Sequence, residues 1–372
     1  MELETPYIRV DSDRLERNIR KMADVAACAG VKLRPHVKTH KIPAIALQQI
    51  RAGAAGITVA KLSEAEVMAE HGVKDIFLAL PVVSPSKLRR LVRLAEQVRL
   101  VVGVDSAEGA RLLAAAARGA GLERVRKIEV RLEVDTGMRR TGVRYEQALE
   151  LARRVADMPD IRLSGLYTYR GAMVGGRPTL DLRQAGVDEG RQMVELAERI
   201  RAAGIPLEDV SVGSTPTAAY AASVPGVTEI RPGTYVFQDR MQARYGVCGP
   251  EDWAASICVT VISRPAEDLA VIDGGSKTFA TDIQPGTEPL QLAGYGHVLG
   301  LEGVQFERLS EEHGMLRLDP AAAESAKLRI GQRLHIVPNH ICSTINLHNQ
   351  VILFAPDGSY EKLPVLARGM LQ

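Results

Sequence analysis

Residues 31–41 read VKLRPHVKTHK, and this stretch shows how the first part of the chain is built. Val31, Leu33 and Val37 alternate with polar residues, which is typical of a half-buried strand. Three lysines, one arginine and two histidines share the same eleven residues. A β-rich run that ends among so many basic side chains is either followed by a solvated loop or forms the edge of a binding site.

Seven further runs of this kind follow along the chain. The eight predicted strands are 31–38, 56–61, 75–82, 98–105, 127–135, 161–169, 209–214 and 229–237. Helical stretches separate them, such as SDRLERNIRKMADVAACA, which starts at a serine or aspartate cap, and KLSEAEVMAEHG, which ends at a glycine. Alternating strands and helices indicate a parallel α/β architecture, and eight strands favour a closed (β/α)8 TIM-type barrel over an open doubly wound sheet.

The pattern changes towards the C-terminus, where strand-like runs dominate. Examples are ASICVTVISRP, RLHIVPNHICSTINLH and QVILFAPDG. We therefore expect a barrel over residues 12–245 and a mostly β domain formed by residues 1–11 and 246–372. The opening run YIRVD fits either part by its pattern, and we group it with the β domain.

Composition and charge exclude several classes of protein. The 372 residues are 46% hydrophobic and 25% charged, which is typical of a folded soluble protein, and the net charge of +2 does not favour nucleic acid or an acidic membrane as partner. No apolar run is long enough to span a membrane, and the N-terminus lacks the features of a signal peptide. The four cysteines (Cys28, Cys248, Cys258, Cys342) are too few for a disulfide framework, so we expect a reduced, cytoplasmic setting.

Barrels of this kind carry their functional residues at the C-terminal ends of the strands. The predicted strand ends carry basic, aromatic and glycine residues: His36, Lys38, Lys61, Asp135, Tyr167, Tyr169, Gly213, Ser214, Arg231, Gly233 and Tyr235. A lysine among cations holds its proton less tightly and suits a covalent bond to an aldehyde, while glycine and arginine suit a phosphate. Strand ends that simply face water would show the same polarity, so polarity alone leaves both interpretations open.

Several segments together resemble one enzyme family. LRPHVKTHK, AKLSEAEVMAEHGVKDIFLA, VDTGMRRTGV, GLYTYRG, GSTPT, IRPGTYVF and VPNHICSTINLH resemble, in order and spacing, the D-threonine aldolase and D-serine dehydratase family. Its members are pyridoxal-phosphate enzymes of fold type III, with the alanine racemase type of barrel. The resemblance runs from about Thr5 to beyond His348. It implies a lyase that acts on a D-amino acid and a homodimer in which the partner's β domain completes each site.

The resemblance also implies which residues hold the cofactor. Lys38 matches the lysine that binds the cofactor aldehyde, with Lys32 and Lys41 as local alternatives. Arg140 matches the arginine on the phenolate oxygen, and Arg139 is its rival if the register slips by one.

The remaining cofactor positions follow from the same comparison. Tyr169 matches the position that packs on the pyridine face, which is often histidine in relatives, whereas Tyr167 is interpreted as packing. Gly213, Ser214 and Thr215 resemble the phosphate-binding loop, Arg231 resembles the residue that faces the pyridine nitrogen in alanine racemase, and Tyr235 completes the set. His36, two residues before Lys38 on the predicted strand, is expected to face the same way and to take part in catalysis.

A second candidate site lies in the motif PNHIC. His340 and Cys342 are two residues apart in a β-like run, which would place both side chains on one face. Imidazole and thiolate together suit a first-row metal, zinc above all, although the pair alone is more typical of a structural histidine and an inert cysteine. The resemblance implies a divalent metal here (zinc, manganese or magnesium). Further ligands or supporting groups could come from His297, His313 and His348, although each of these by itself is more typical of a structural histidine.

The resemblance implies two reactions on a D-3-hydroxy amino acid. We place retro-aldol cleavage to glycine and an aldehyde first, and dehydration of D-serine or D-3-hydroxyaspartate to a 2-oxo acid and ammonia second. The cysteine at position 342 resembles the dehydratase branch. A racemase needs no metal ligands, and a non-catalytic pyridoxal-phosphate carrier would end after the barrel, so both are disfavoured.

Overall fold

The computed structural model describes residues 3–121, 127–323 and 327–372. The chain forms two compact units. The barrel unit comprises Arg20–Lys38, Pro43–Gly233 and Gly369–Gln372, and the β unit comprises Met1–Ile19, Thr39–Ile42 and Thr234–Arg368. Within the described ranges, no helix has the length and apolar character needed to cross a bilayer.

Along the chain, one strand of the β unit comes first, the strands of the barrel unit follow, and the other strands of the β unit come last. The first strand, β1 (Tyr7–Asp11), belongs to the β unit. The barrel unit contains β2 (Lys32–Leu33), β3 (Ile57–Val59), β4 (Asp75–Leu78), β5 (Arg99–Val104), β6 (Ile128–Asp135), β7 (Val143–Arg144), β8 (Ile161–Tyr167), β9 (Met173–Val174), β10 (Arg177–Pro178), β11 (Asp209–Val212) and β12 (Glu229–Ile230). The β unit continues with β13 (Ala255–Ala266), β14 (Leu269–Ile272), β15 (Gly296–Val298), β16 (Val304–Leu309), β17 (Gly314–Leu318), β18 (Arg333–Pro338), β19 (Gln350–Phe354) and β20 (Tyr360–Pro364).

The helices lie mostly between the barrel strands. They are α1 (Ser12–Cys28), α2 (Pro43–Arg51), α3 (Leu62–Glu70), α4 (Pro85–Gln97), α5 (Ala107–Gly119), α6 (Ala148–Ala156), α7 (Leu182–Ala202), α8 (Ala218–Ala222), α9 (Arg240–Arg244) and α10 (Ile341–Ile345). Capping explains several starts: the backbone N–H of Gly109 donates to the Ser106 hydroxyl at 3.1 Å, and that of Gln184 donates to Asp181 at 2.9 Å.

Eight parallel strands form the barrel, as predicted. Their order is β2–β12–β11–β8–β6–β5–β4–β3, and each of the eight predicted runs contains one of them. A parallel bridge between His36 and Thr58 closes the circle between β2 and β3, and the Thr58 N–H donates to the Pro35 carbonyl at 2.7 Å. The predicted fold class is therefore confirmed.

The first and last barrel strands are shorter than predicted. β2 ends at Leu33 and β12 at Ile230, and the chain then forms 3-10 turns at Val37–Thr39 and Thr234–Val236. Both strands are followed by an Arg-Pro pair, Arg34–Pro35 and Arg231–Pro232. Proline cannot donate to a strand ladder, so extended pairing stops there, and the alternation that predicted longer strands is not continued.

The N-terminal end of the barrel contains a buried ion cluster. Arg34 Nε lies 2.8 Å from Glu229 Oε2, Arg131 lies 2.8 Å from Asp209, and Arg131 also pairs with Glu229. All four residues are at least nine-tenths buried. In this fold the N-terminal end serves stability, which leaves the C-terminal strand ends for chemistry.

The β unit is built on a nine-stranded sheet. Its main path runs β16–β17–β14–β13–β1–β19–β20, with β18 paired to β13 and β15 paired to β18. The opening strand β1 lies inside this sheet, antiparallel to β13 and parallel to β19. The mostly β character predicted for the C-terminal part is confirmed.

Candidate active site

Three of the predicted cofactor residues meet at the C-terminal end of the barrel. Lys38 Nζ lies 5.4 Å from the centroid of the Tyr169 ring, and the guanidinium carbon of Arg140 also lies 5.4 Å from it. The Tyr169 ring is 36% exposed, so it can take a flat ligand. The structure thus places an amine and a guanidinium around one accessible aromatic ring.

The local alternatives to Lys38 and Arg140 have other contacts. Lys32 Nζ pairs with Asp209 at 3.0 Å, at the opposite end of the barrel, and Lys41 Nζ donates to Asn346 Oδ1 at 2.8 Å within the β unit. Arg139 adopts a positive φ of 53°, and its backbone N–H donates to Asp135 at 3.0 Å. These contacts favour Lys38 and Arg140 as the residues of the site.

His36 supports the turn that carries Lys38. The expectation that both side chains share one strand face is wrong, because β2 ends before them and Lys38 lies in a 3-10 turn. Instead, the Lys38 backbone N–H approaches His36 Nδ1 at 3.4 Å, and the His36 N–H donates to the Pro232 carbonyl at 2.9 Å. A catalytic role for His36 stays a prediction.

The loop Gly213–Thr215 is compact and internally bonded. The Gly213 N–H donates to Glu189 at 3.1 Å, the Ser214 N–H donates to Thr217 Oγ1 at 3.1 Å, and Thr215 Oγ1 accepts from the Gly233 N–H at 3.2 Å. Gly213 has a φ of 81°, which a residue with a side chain rarely adopts. The loop therefore presents its hydroxyl groups in fixed positions, which fits a phosphate, while the N–H donors of Gly213 and Ser214 serve the loop itself.

Arg231 is fixed inside the barrel just after β12. One of its amine groups donates to the Ser211 hydroxyl at 2.6 Å, and another donates to the Thr168 carbonyl. Its guanidinium carbon lies 5.4 Å from the centroid of the buried Tyr167 ring, and burial lowers the pKa of Arg231. Tyr167 packs as expected and donates to Glu133 at 2.9 Å.

Tyr235 lies in the β unit, in the 3-10 turn Thr234–Val236, and is 1% exposed. Its phenol is therefore part of a packed interior rather than of an open strand end. Its role with the cofactor stays a prediction.

The predicted metal pair also lies in the β unit, with a different backbone from the one expected. β18 ends at Pro338, His340 precedes α10, and Cys342 lies in the first turn of that helix, so the strand argument for a common face is wrong. The two side chains nevertheless interact. Burial by itself would lower the pKa of His340, but Cys342 and Asp282 raise that pKa well above its usual value. Burial by itself would raise the pKa of Cys342, but His340 brings that pKa below its usual value.

Asp282 is the functional neighbour that the sequence did not reveal. Its Oδ2 lies 2.6 Å from His340 Nδ1 and accepts from the Ser343 hydroxyl at 2.8 Å. A carboxylate on Nδ1 holds the proton there and leaves the Nε2 lone pair for a metal. Asp282 lies in an irregular segment with no periodic pattern, so no local signal marks it.

The donor set fits a divalent metal in chemical type. Cys342 Sγ lies 3.2 Å from Thr39 Oγ1 and 3.4 Å from Thr234 Oγ1, which are groups that can support a thiolate. Within residues 3–121, 127–323 and 327–372, no set of three or more His, Cys, Asp and Glu side chains is arranged to hold a metal. His340 and Cys342 stay the predicted metal ligands, and two protein ligands would leave positions open for substrate.

The other histidines named by the sequence have structural contacts. The His297 ring packs against Trp253 with centroids 5.5 Å apart, and His348 Nε2 lies 3.0 Å from the Thr278 carbonyl. Burial lowers the pKa of both imidazoles. These contacts explain the positions of His297 and His348 without any bond to a metal.

Comparison with known proteins identifies both parts of the chain. Residues 10–241 match the alanine racemase N-terminal domain, and residues 254–354 match a serine dehydratase domain. D-threo-3-hydroxyaspartate dehydratase of Delftia sp. (strain HT23) is 37% identical, with 96% of each chain covered. D-threonine aldolase of Arthrobacter sp. is 32% identical, with 99% of this chain and 93% of the relative covered.

Solved structures of the Delftia dehydratase are also similar to this chain in fold. The unmutated enzyme superposes with a TM-score of 0.87 at 36% identity, with 97% of each chain covered. A histidine-to-alanine mutant and a cysteine-to-alanine mutant have also been solved, the replaced residues lie two positions apart, and the cysteine mutant is in a metal-free form. The chain belongs to the D-threonine aldolase and D-serine dehydratase family, and it is a pyridoxal-phosphate-dependent lyase.

Proposed function

We propose that this chain dehydrates a D-3-hydroxy amino acid to a 2-oxo acid and ammonia, with pyridoxal phosphate and a divalent metal. The observation that carries the proposal is the pair His340 and Cys342 with Asp282 on His340 Nδ1. The Delftia dehydratase has a histidine and a cysteine at the same spacing, and its cysteine mutant is metal-free. Retro-aldol cleavage, placed first by the sequence, is the second candidate and is supported by the similarity to the Arthrobacter aldolase.

Pyridoxal phosphate and the metal would supply the electron withdrawal that this reaction needs. When bound, pyridoxal phosphate withdraws electrons from the substrate Cα, and a cation on His340 and Cys342 polarises the Cβ hydroxyl. The protein positions the reactants: the Tyr169 ring supports a flat ligand, Ser214 and Thr215 bind an anion, and Arg231 provides a fixed charge.

Lys38 is the side chain that we assign to proton transfer at Cα. Its amine lies above the Tyr169 ring, on which Arg140 also lies. The amine is thus placed to bind the cofactor aldehyde and to accept a proton.

Several finer properties belong to the same proposal. The thiol and imidazole donors favour zinc over magnesium or manganese, because soft ligands select zinc. We further propose a homodimer in the cytoplasm. All four cysteines lie in the described ranges and are free thiols, which is compatible with a reduced compartment.

The first experiment is product analysis. The purified protein is incubated with pyridoxal phosphate, zinc and, separately, D-threo-3-hydroxyaspartate, D-serine and D-threonine. The proposal expects equal amounts of 2-oxo acid and ammonia with at least one substrate. Glycine and an aldehyde as the main products would replace dehydration by the retro-aldol reaction.

Metal dependence is tested with chelation and with His340→Ala. Both should lower lyase turnover by at least about a hundredfold while the cofactor absorbance stays, because the cation acts on the leaving group and not on cofactor binding. His71→Ala is the matched control, since His71 is an exposed histidine of the barrel unit. Full turnover in the chelated protein would remove the metal from the proposal.

A further inference from the structure

A buried carboxylate joins two loops of the barrel unit. Glu189, on α7, is 1% exposed. Its Oε1 accepts from the Arg170 backbone N–H at 3.0 Å, and its Oε2 accepts from the Gly213 N–H at 3.1 Å. Arg170 directly follows Tyr169, and Gly213 opens the Gly213–Thr215 loop, so a single side chain ties together two strand ends of the site.

Two glycines bring α7 close enough for this contact. A Cβ on Gly186 would lie 2.8 Å from the Thr217 carbonyl oxygen, and a Cβ on Gly190 would lie 2.9 Å from Val224 Cγ2. Without side chains at these positions, α7 can pack tightly on α8 and on the turn that precedes it. The sequence GVDEG at 186–190 thus places the carboxylate at the base of the loop.

The carboxylate is electrostatically costly at this depth. Burial raises the pKa of Glu189, while Arg170 and the two N–H donors lower it, with the rise prevailing. Arg170 is itself buried, and its amine group donates to the Ala185 carbonyl at 2.7 Å. An apolar side chain would fill the same space without this cost, so the two backbone bonds are what a carboxylate contributes here.

We propose that Glu189 is a positioning residue that sets the phosphate-binding geometry of the cofactor site. By holding Gly213 and Arg170 together, it fixes the Ser214 and Thr215 hydroxyl groups relative to the Tyr169 ring. The site then favours the phosphorylated aldehyde over its unphosphorylated form. This inference rests on the proposed cofactor site in the barrel.

The test compares pyridoxal phosphate with pyridoxal. Dissociation constants of both are measured on the full-length protein, freed of cofactor, by equilibrium dialysis and by the change in visible absorbance. In Glu189→Gln the amide nitrogen faces one of the N–H donors, so the loop loses a bond. We expect the dissociation constant of pyridoxal phosphate to rise by about tenfold or more, and that of pyridoxal to rise by less than about threefold.

Two further variants separate positioning from folding. Glu189→Asp keeps the charge but is one methylene shorter and cannot reach both donors, so it should show the same selective loss if Glu189→Gln does not fold. Glu64→Gln is the matched control: Glu64 is also a buried helix glutamate, 1% exposed, and accepts from the Ala60 N–H at 2.8 Å. It should change stability and leave the ratio of the two dissociation constants unchanged.

The outcomes are distinct. An unchanged ratio in Glu189→Gln and Glu189→Asp, or an equal loss for both ligands, would overturn the role of Glu189 alone. A wild-type protein that binds neither ligand would overturn the proposed cofactor site itself.

Discussion

At Lys38 the backbone is helical, and the residue lies in the turn Val37–Thr39 after Pro35 has ended β2. The turn is held from two sides, by the approach of the Lys38 N–H to His36 Nδ1 and by the bond from His36 N–H to Pro232. The amine is thereby presented above the Tyr169 ring from a rigid support. Precise placement of a nucleophile is what lowers the entropic cost of its reaction.

Replacement of this amine gives the most direct test at the residue scale. Lys38→Ala should lose the visible absorbance of the bound cofactor and about a thousandfold of the turnover, because the nucleophile and the base are removed together. Circular dichroism should show an unchanged fold. Lys32→Ala is the control, since Lys32 pairs with Asp209 at the other end of the barrel. A chromophore in Lys38→Ala that borohydride still traps would contradict the assignment.

The sequence pointed to side chains that lie together in the structure, but not to the residues that contact and support them. Lys38 and Tyr169 could be placed on one edge because the C-terminal ends of parallel strands converge there, whatever the exact strand lengths. Arg140 lies beyond the end of β6 and was predicted only from the family resemblance. Asp282 and Glu189 contact their partners, His340 and Gly213, across 58 and 24 positions of sequence. Such contacts depend on tertiary packing, which a local pattern does not contain.

At the scale of elements, β5 depends on a glycine that faces a tyrosine. A Cβ on Gly103 would lie 2.2 Å from the Tyr167 hydroxyl oxygen and 3.2 Å from the Leu80 nitrogen. Tyr167 cannot easily move, because its ring packs edge-on against Phe77 at 4.9 Å and its hydroxyl donates to Glu133. Gly103 on β5 therefore leaves room for the Tyr167 side chain of β8, which lies two strands away in the barrel.

Gly103→Ala should consequently destabilise the protein. We expect a loss of about 2 kcal/mol, since overfilling a packed interior displaces buried side chains. Thermal unfolding followed by circular dichroism measures this. Gly119→Ala is the matched control at the end of α5, where an added Cβ meets nothing within 4 Å, and it should shift stability by less than about 0.5 kcal/mol. Equal stability of the two variants would show that Tyr167 yields without cost.

For the whole molecule, the number and order of the eight barrel strands were readable from the sequence because strand-like and helical stretches alternate there. The short strands β7, β9 and β10 of the barrel unit, and β16 and β17 of the β unit, were not predicted. The ends of β2 and β12 were not readable either, since alternation continues past Pro35 and Pro232 where pairing does not. The buried ion cluster was also hidden: Arg34, Arg131 and Glu229 are far apart in sequence, and charged residues on strands usually predict solvent exposure.

This cluster makes the stability of the protein depend on acid. Burial would raise the pKa of Glu229, but Arg131 and Arg34 bring it below its ordinary value of 4.5. A carboxyl group with a lowered pKa in the folded state contributes stability that is present above the ordinary pKa and is lost as the pH falls towards the folded pKa.

The midpoint of urea denaturation should thus fall as the pH drops below 4.5. Glu229→Gln should lower the free energy of unfolding at pH 7 by about 3 kcal/mol, because two buried arginines are left with fewer partners. It should also weaken the dependence of the midpoint on acid. Glu208→Gln, at an exposed partner of Arg162, is the control and should retain the wild-type profile. An acid dependence of Glu229→Gln equal to that of the wild type would assign the effect to other carboxyl groups.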